Sequence, residues 1–183
     1  MPHVSLPEGL PGILGPLTQY PETGSALTLL ANALLVHETP SLSKGDRETI
    51  ASYVSYLNGC LFCSESHGGA ADAHLGQPGH CRAVWASPDD APISPRLRAL
   101  LAIAARVQQS GRALSPEHVA AARALGANDR DLHDTVLIAA AFCMYNRYVD
   151  GLATTAPPAG DPAYAQMGQV LAAQGYQRGP ARG

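Results

Sequence analysis

Two cysteines, one histidine and one glutamate have types and spacings in this sequence that favour thiol redox chemistry. Cys60 and Cys63 are separated by two residues, and His67 follows after three more. Glu48 precedes Cys60 by twelve positions. On an α-helix, positions i, i+3 and i+7 lie within about 60° of one another, so the cysteines and the histidine would share one face. Two thiols at this spacing can close and reopen a disulfide, and a histidine beside them can move protons.

The residues before the cysteines indicate where their helix begins. Asn58-Gly59 is typical of a helix end, because both residue types accept the left-handed backbone conformation. This predicts that Cys60 lies in the first turn of the next helix, where free N–H groups and the helix dipole stabilise a thiolate. Twelve residues of straight helix span about 18 Å, so Glu48 reaches the thiols only if its helix folds back. The spacing alone leaves that question open.

Two other interpretations of these residues stay open. Cys-x-x-Cys followed by a histidine is also a zinc pattern, and His74 or the adjacent His80 and Cys81 could supply further ligands. Structural zinc sites usually hold their paired cysteines on a tight turn, whereas this segment is predicted to be helical, which favours redox chemistry. The cysteine pair could also be structural, since buried cysteines pack as small apolar side chains.

These residues resemble the redox motif of the alkylhydroperoxidase D and carboxymuconolactone decarboxylase superfamily, in its peroxidase-related branch. That motif is a glutamate, eleven residues, Cys-x-x-Cys, three residues and a histidine. It is present here without gaps as Glu48, Cys60, Cys63 and His67. The segments 53–58 and 145–151 also resemble this branch, and the resemblance covers residues 5–155.

The resemblance implies a thiol-dependent antioxidant enzyme that reduces hydroperoxides or a peroxiredoxin disulfide. A non-catalytic thiol redox sensor is an alternative, and the cysteine pair argues against a lactone decarboxylase on the same scaffold. Cys63 would be the attacking thiol, Cys60 would resolve the product as a disulfide, and His67 with Glu48 would relay protons through water. No bound cofactor or metal is implied, and electrons could come from dihydrolipoamide on a lipoylated carrier protein. Phe62 stands where alkylhydroperoxidase D often has a tyrosine, which leaves the thiol chemistry intact and puts the preference for peroxide in question.

Composition narrows the classes of protein to which the chain can belong. Of its 183 residues 46% are hydrophobic, strand-forming runs are scarce, and the net charge is −3. This composition favours helices and lacks the basic stripe of a nucleic-acid-binding protein. We find neither a signal peptide nor an apolar run of the ~18 residues that a membrane span needs, and therefore expect a cytoplasmic protein without a membrane partner. In that reducing compartment a close cysteine pair is more often catalytic or metal-binding than a structural disulfide.

The expected fold is all-α, with six or seven helices in the alkylhydroperoxidase D-like arrangement and two related helical units. The domain 1–155 comprises a proline-rich arm at 1–22, a motif half at 23–76 and a degenerate half at 95–152. A C-terminal extension at 156–183 carries one short helix. The resemblance also implies a homo-oligomer, a trimer or a hexamer. The expected helices are 22–37, 44–57, 60–75, 95–110, 115–125, 129–150 and 161–175, with a helical turn at 81–85.

A weak internal repeat supports the idea of two related units. Shifting the motif by 83 residues brings its four positions onto Asp131, Cys143, Asn146 and Asp150. The second copy keeps an acid and one cysteine but lacks the thiol pair and the histidine. This pattern predicts one active and one degenerate site.

Overall fold

The computed structural model of the chain describes residues 1–37, 39 and 42–176, and within these residues all regular structure is helical. The all-α prediction is therefore confirmed. The seven longer helices lie where they were expected, and two short helices, α1 and α5, bring the number in the described part to nine. The helices are α1 Leu14–Gln19, α2 Pro21–Leu35, α3 Lys44–Leu57, α4 Leu61–Leu75, α5 His80–Ala86, α6 Pro95–Gln109, α7 Pro116–Ala124, α8 Asp129–Gly151 and α9 Pro162–Gln174.

Local signals set the limits of the two helices that carry the motif. At the start of α3 the Ser43 hydroxyl accepts a hydrogen bond from Asp46 N at 3.1 Å, and the Asp46 carboxylate accepts one from Ser43 N at 3.0 Å. This reciprocal capping satisfies two N–H groups that the first turn leaves free. Gly59, at φ +74°, turns the chain between α3 and α4, and Gly76, at φ +64°, ends α4. The two helices form a tight hairpin, and no other pair of helices in the described chain makes a more extensive contact.

Helix α1 lies inside the arm that was expected to lack helices. Pro16 is the third residue of α1, where its missing N–H would have had no partner within the helix, so the proline is compatible with the first turn. The residues before α1 attach to the chain's own surface. His3 N donates to the carbonyl oxygen of Leu152 at 2.9 Å, and Gly12 N donates to that of Thr155 at 2.7 Å.

The hydrophobic core is built mainly between α3, α6 and α8. Ile50 and Val54 of α3, Leu100 and Ile103 of α6, and Ile138 of α8 are completely buried. Among the described helices, none combines the length and apolar character needed to cross a membrane.

The C-terminal extension packs closely on α4 rather than standing apart from the domain. At the crossing of α4 and α9, a Cβ atom on Gly69 would lie 2.6 Å from the carbonyl oxygen of Tyr164. A Cβ atom on Gly168 would overlap with the backbone of Gly69. Glycine at both positions therefore lets the two backbones touch. The tail at 177–183, predicted to follow the last helix, lies outside the described residues.

We expect Gly168→Ala to lower the free energy of unfolding by about 1–3 kcal/mol, because the added methyl group forces α9 away from α4. Gly151→Ala is the matched control: a Cβ atom there meets no atom within 4 Å, and the change should stay within about 1 kcal/mol of the wild type. Urea denaturation of the three proteins measures both effects. Equal stability of the Gly168→Ala variant and the wild type would contradict the tight crossing.

Candidate active site

The two motif cysteines occupy different positions relative to the start of α4. Cys60 precedes the helix with an extended backbone (φ −80°, ψ 96°), and its carbonyl oxygen accepts the first helical hydrogen bond from Ser64 N at 3.0 Å. The prediction that Cys60 lies in the first turn is therefore wrong, because the turn at Asn58-Gly59 uses one more residue before helical geometry begins. Cys63 is the thiol inside the first turn, where the helix N-terminus favours negative charge.

Glu48 reaches His67 because α3 folds back along α4. Nδ1 of His67 lies 2.8 Å from Oε2 of Glu48. The Glu48 side chain is 1% exposed and that of His67 is 12% exposed, so the pair is shielded from water. The Phe142 ring packs perpendicular to the imidazole, with 4.6 Å between the ring centroids. The hairpin thus settles a question that the spacing left open, and it brings an acid and an imidazole together beside the thiols.

Tyr176 is a third partner of this pair, and the sequence analysis missed it. Its hydroxyl donates to Oε1 of Glu48 at 2.5 Å and lies 3.1 Å from Nδ1 of His67. Its ring stacks on the imidazole with an interplanar angle of 15°. Burial and the Glu48 carboxylate raise the pKa of Tyr176 well above its ordinary value, so the phenol keeps its proton and remains a donor. A lone tyrosine beyond the last helix carried no local signal of this role.

One hydrogen bond joins the two thiols and shifts their pKa values in opposite directions. A hydrogen bond from the Cys60 thiol lowers the pKa of Cys63 despite its burial, and the nearby His67 and Asn146 lower it further. The same hydrogen bond, together with burial, raises the pKa of Cys60. Cys63 is therefore the thiol of the pair that ionises more readily, with Cys60 as its hydrogen-bond donor, and no disulfide joins the two.

The four residues of the shifted copy do not form a second site of the same kind. Asp131 and Asn128 cap the start of α8 through reciprocal hydrogen bonds of 2.9 and 3.1 Å. Helix α8 is continuous where α3 and α4 are separated by a turn, so Cys143 is not at a helix start. Asn146 instead belongs to the first site: it accepts from Asn58 at 2.8 Å, and its hydrogen bond helps to lower the pKa of Cys63.

Asp150, the last residue of the shifted copy, also acts on the first site, where its charge opposes ionisation of both Cys60 and Cys63. The kinship of the two helical units, in contrast, stays a prediction.

The residues named as possible zinc ligands do not converge. Within the described part of the chain, no three histidine, cysteine, aspartate or glutamate side chains are arranged to hold a metal ion. Nε2 of His80 lies 3.1 Å from the Thr49 hydroxyl, and His74 is on the last turn of α4. Burial raises the pKa of Cys81 to about 12, which disfavours the thiolate that a metal requires. The donor geometry gives no support to the zinc interpretation.

A large apolar cavity of about 1010 Å³ opens onto Cys63 and His67. Its walls come from α1, α2, α8 and α9, and none of the described residues that line it is an aspartate, glutamate, lysine or arginine. Cys63 is only 3% exposed, and its side chain lines this cavity. Its apolar lining residues include Leu17, Leu27, Ala31, Phe142, Met167 and Leu171.

Comparisons with known proteins place the chain in a family. The profile of the carboxymuconolactone decarboxylase family matches residues 79–166, a region that follows the cysteine motif. A search of curated protein sequences finds no significant match.

Two solved structures are similar over most of their length. One is a peroxidase-related protein from Silicibacter sp. TM1040, with 30% identity over 82% of this chain and 78% of that chain, and a TM-score of 0.72. The other is an uncharacterized peroxidase-related protein with an alkylhydroperoxidase AhpD core from Ralstonia eutropha JMP134, with 28% identity over 87% of this chain and 82% of that chain, and a TM-score of 0.76. The chain therefore belongs to the alkylhydroperoxidase D-like carboxymuconolactone decarboxylase superfamily.

Because the pKa of Cys63 is lowered while that of Cys81 is raised to about 12, we expect iodoacetamide to modify Cys63 at least about tenfold faster than Cys81 at pH 7. The modification rate at Cys63 should reach half its maximum at a lower pH than that of an ordinary thiol, because the Cys63 thiolate forms at lower pH. Tandem mass spectrometry locates the label at each pH. Faster modification of Cys60 than of Cys63 would mean that the hydrogen bond between them runs in the opposite direction.

Proposed function

We propose that this protein is a thiol peroxidase that reduces organic hydroperoxides through a disulfide between Cys60 and Cys63. One observation supports this above the others. The thiol with the lowered pKa, Cys63, lines an apolar cavity together with His67, and His67 in turn contacts Glu48. The kinship with peroxidase-related proteins supports the same class of reaction.

The proposed reaction begins with attack by the Cys63 thiolate on the terminal oxygen of the hydroperoxide. The S–O bond forms as the O–O bond breaks, so that Cys63 becomes a sulfenic acid and the substrate leaves as an alkoxide. The alkoxide takes a proton from His67 and departs as an alcohol. The Cys60 thiol then attacks the sulfenic sulfur, forming the disulfide and releasing water. A dithiol reduces the disulfide to two thiols and is itself oxidised to a disulfide.

The Glu48–His67 contact supports the proton-transfer step. With Nδ1 of His67 hydrogen-bonded to Glu48, Nε2 is the nitrogen that can accept a proton during thiolate formation and return it to the alkoxide. The same contact offsets the positive charge that the imidazole gains. Shielding from water strengthens both interactions, because the effective dielectric constant at the site is low.

The lining of the cavity favours an apolar substrate over hydrogen peroxide. A ligand with a hydrocarbon body would bury apolar surface against α1, α2 and α9, whereas hydrogen peroxide has none to bury. The lack of charged side chains among the described lining residues offers no partner for an ionised head group. Organic hydroperoxides with neutral bodies are therefore the proposed substrates.

The remaining parts of the proposal concern partners and location. Dihydrolipoamide, free or on a lipoylated carrier protein, is the proposed electron donor, and a peroxiredoxin disulfide is an alternative oxidant. We retain the homo-oligomer, a trimer or hexamer, as part of the proposal. A reducing cytoplasm is the compartment in which a Cys60–Cys63 disulfide can be recycled.

The first test is consumption of cumene hydroperoxide with dihydrolipoamide as the reductant. We expect turnover by the wild type and none above background with Cys63→Ser, because serine lacks the ionisable sulfur. Cys143→Ser is the matched control and should keep full activity, since the hydrogen bonds of the Cys143 sulfur, to Asn58 and to the Gln108 carbonyl oxygen, are long at 3.7 and 3.9 Å. If neither the wild type nor the variants turn over hydroperoxide while the Cys60–Cys63 pair oxidises reversibly, the protein is a redox sensor or a reductase of another disulfide.

A second test concerns the cavity. Thr28 of α2 lines it, and we expect Thr28→Phe to raise the KM for cumene hydroperoxide about tenfold by occupying the space of the hydrocarbon body. The much smaller hydrogen peroxide should show an unchanged rate. Ala26→Phe places the same ring on an exposed position of α2 outside the cavity and should alter neither substrate. Equal losses with both peroxides would show that the cavity does not select the substrate.

A further inference from the structure

We propose that Tyr176 is a positioning residue of this site, whose hydroxyl holds Glu48 and His67 in the arrangement that activates Cys63. The inference rests on the proposed role of the Glu48–His67 pair in generating the Cys63 thiolate. It goes beyond the four-residue motif, because Tyr176 lies after the last helix and outside the segment to which the motif belongs.

The hydrogen bonds of the Glu48 carboxylate carry the argument. Oε2 faces Nδ1 of His67 at 2.8 Å, and Oε1 accepts from the Tyr176 hydroxyl at 2.5 Å. Each oxygen of the carboxylate thus has its own donor, and together the two donors fix the rotation of the carboxylate plane. Without the hydroxyl, one oxygen of a side chain that is 1% exposed would lose its partner, at the cost of a buried unsatisfied acceptor.

The hydroxyl also constrains which nitrogen of His67 carries the proton. Because the tyrosine donates its only proton to Glu48, its oxygen is left as an acceptor 3.1 Å from Nδ1 of His67. A proton on Nδ1 can therefore be donated to either of two acceptors, Glu48 and Tyr176. A lone pair on Nδ1 would instead face two acceptor oxygens and be repelled by both. This arrangement favours the tautomer with a basic Nε2, which is the nitrogen that the proposed proton transfer uses.

The fold holds Tyr176 at this place through contacts on both sides. Gly175 has φ +68°, and a Cβ atom there would lie 3.0 Å from Oδ1 of Asn32 on α2. The backbone N of Tyr176 donates to the same oxygen at 3.3 Å. The Gly69–Gly168 crossing fixes α9 just before this segment. A surface tyrosine would not require such a set of close approaches.

The test measures the rate at which iodoacetamide modifies Cys63 at pH 7, located by mass spectrometry, and therefore does not require a hydroperoxide. We expect Tyr176→Phe to slow this reaction about fivefold to tenfold, as the net loss of one ordinary hydrogen bond would. Tyr164→Phe is the matched control. It also removes a hydrogen-bonded hydroxyl from the C-terminal extension, one that donates to the Pro157 carbonyl oxygen at 2.8 Å, and should stay within twofold of the wild type.

Repeating the measurement in a His67→Gln variant separates a positioning role from a general loss of structure. If the hydroxyl acts through His67, then adding Tyr176→Phe to His67→Gln should slow the reaction no further. An unchanged rate in Tyr176→Phe alone, or an equal slowing in the presence and absence of His67, would overturn the inference. The peroxidase assay is scored separately. Slowed alkylation in Tyr176→Phe, with no hydroperoxide turnover by the wild type, would refute the proposed function and support the positioning role. Hydroperoxide turnover that is equal in the wild type and Tyr176→Phe would support the proposed function and refute the positioning role.

Discussion

The burial of the Glu48 carboxylate is the constraint on which the rest of the site depends. A carboxylate that is 1% exposed is stable only where donors replace the water it has lost. The two donors come from different parts of the chain: His67 from α4 and Tyr176 from the segment after α9. The α3–α4 hairpin and the docking of α9 are therefore both needed before this carboxylate can be buried, so that the site and the fold form together.

A second buried charge pair sits next to Glu48 and anchors the same helix to a different neighbour. Arg47 is 1% exposed, bonds to Asp134 of α8 at 2.5 Å and donates to the Leu34 carbonyl oxygen at 2.9 Å. Burial would raise the pKa of Asp134, but hydrogen bonds from His133, Arg47 and Arg130 outweigh it and lower the pKa. The adjacent residues Arg47 and Glu48 thus contact different helices, Arg47 contacting α8 and Glu48 contacting α4. These contacts fix α3 between α4 and α8. Removing one partner of such a pair leaves a buried charge without compensation.

The cavity and the thiols pose a related problem, since a thiolate must exist in apolar surroundings. The structure answers it with a hydrogen bond from Cys60, the start of α4 and the nearby imidazole, rather than with solvent. In the proposed reaction, the resolving thiol Cys60 would thereby stabilise the attacking thiolate of Cys63. The hydrogen bond between the two thiols also places them side by side, as a disulfide formed by the proposed oxidation requires.

The helices, their caps and the motif were determined by the sequence itself, because these signals are local: Ser43 with Asp46, the turn at Asn58-Gly59, and cysteines three positions apart. The same local rules placed the start of α4 one residue too early, at Cys60. They also missed α1, where a proline fits the first turn. Only the tertiary structure decided that Glu48 meets His67, that Asn146 joins the first site, and that Tyr176 reaches Glu48 from 128 residues away. Those contacts depend on a hairpin closing and on two glycines letting α4 and α9 touch. Such contacts between distant residues leave no periodic pattern in the sequence, because what they require is space and a partner at one point in the packed structure.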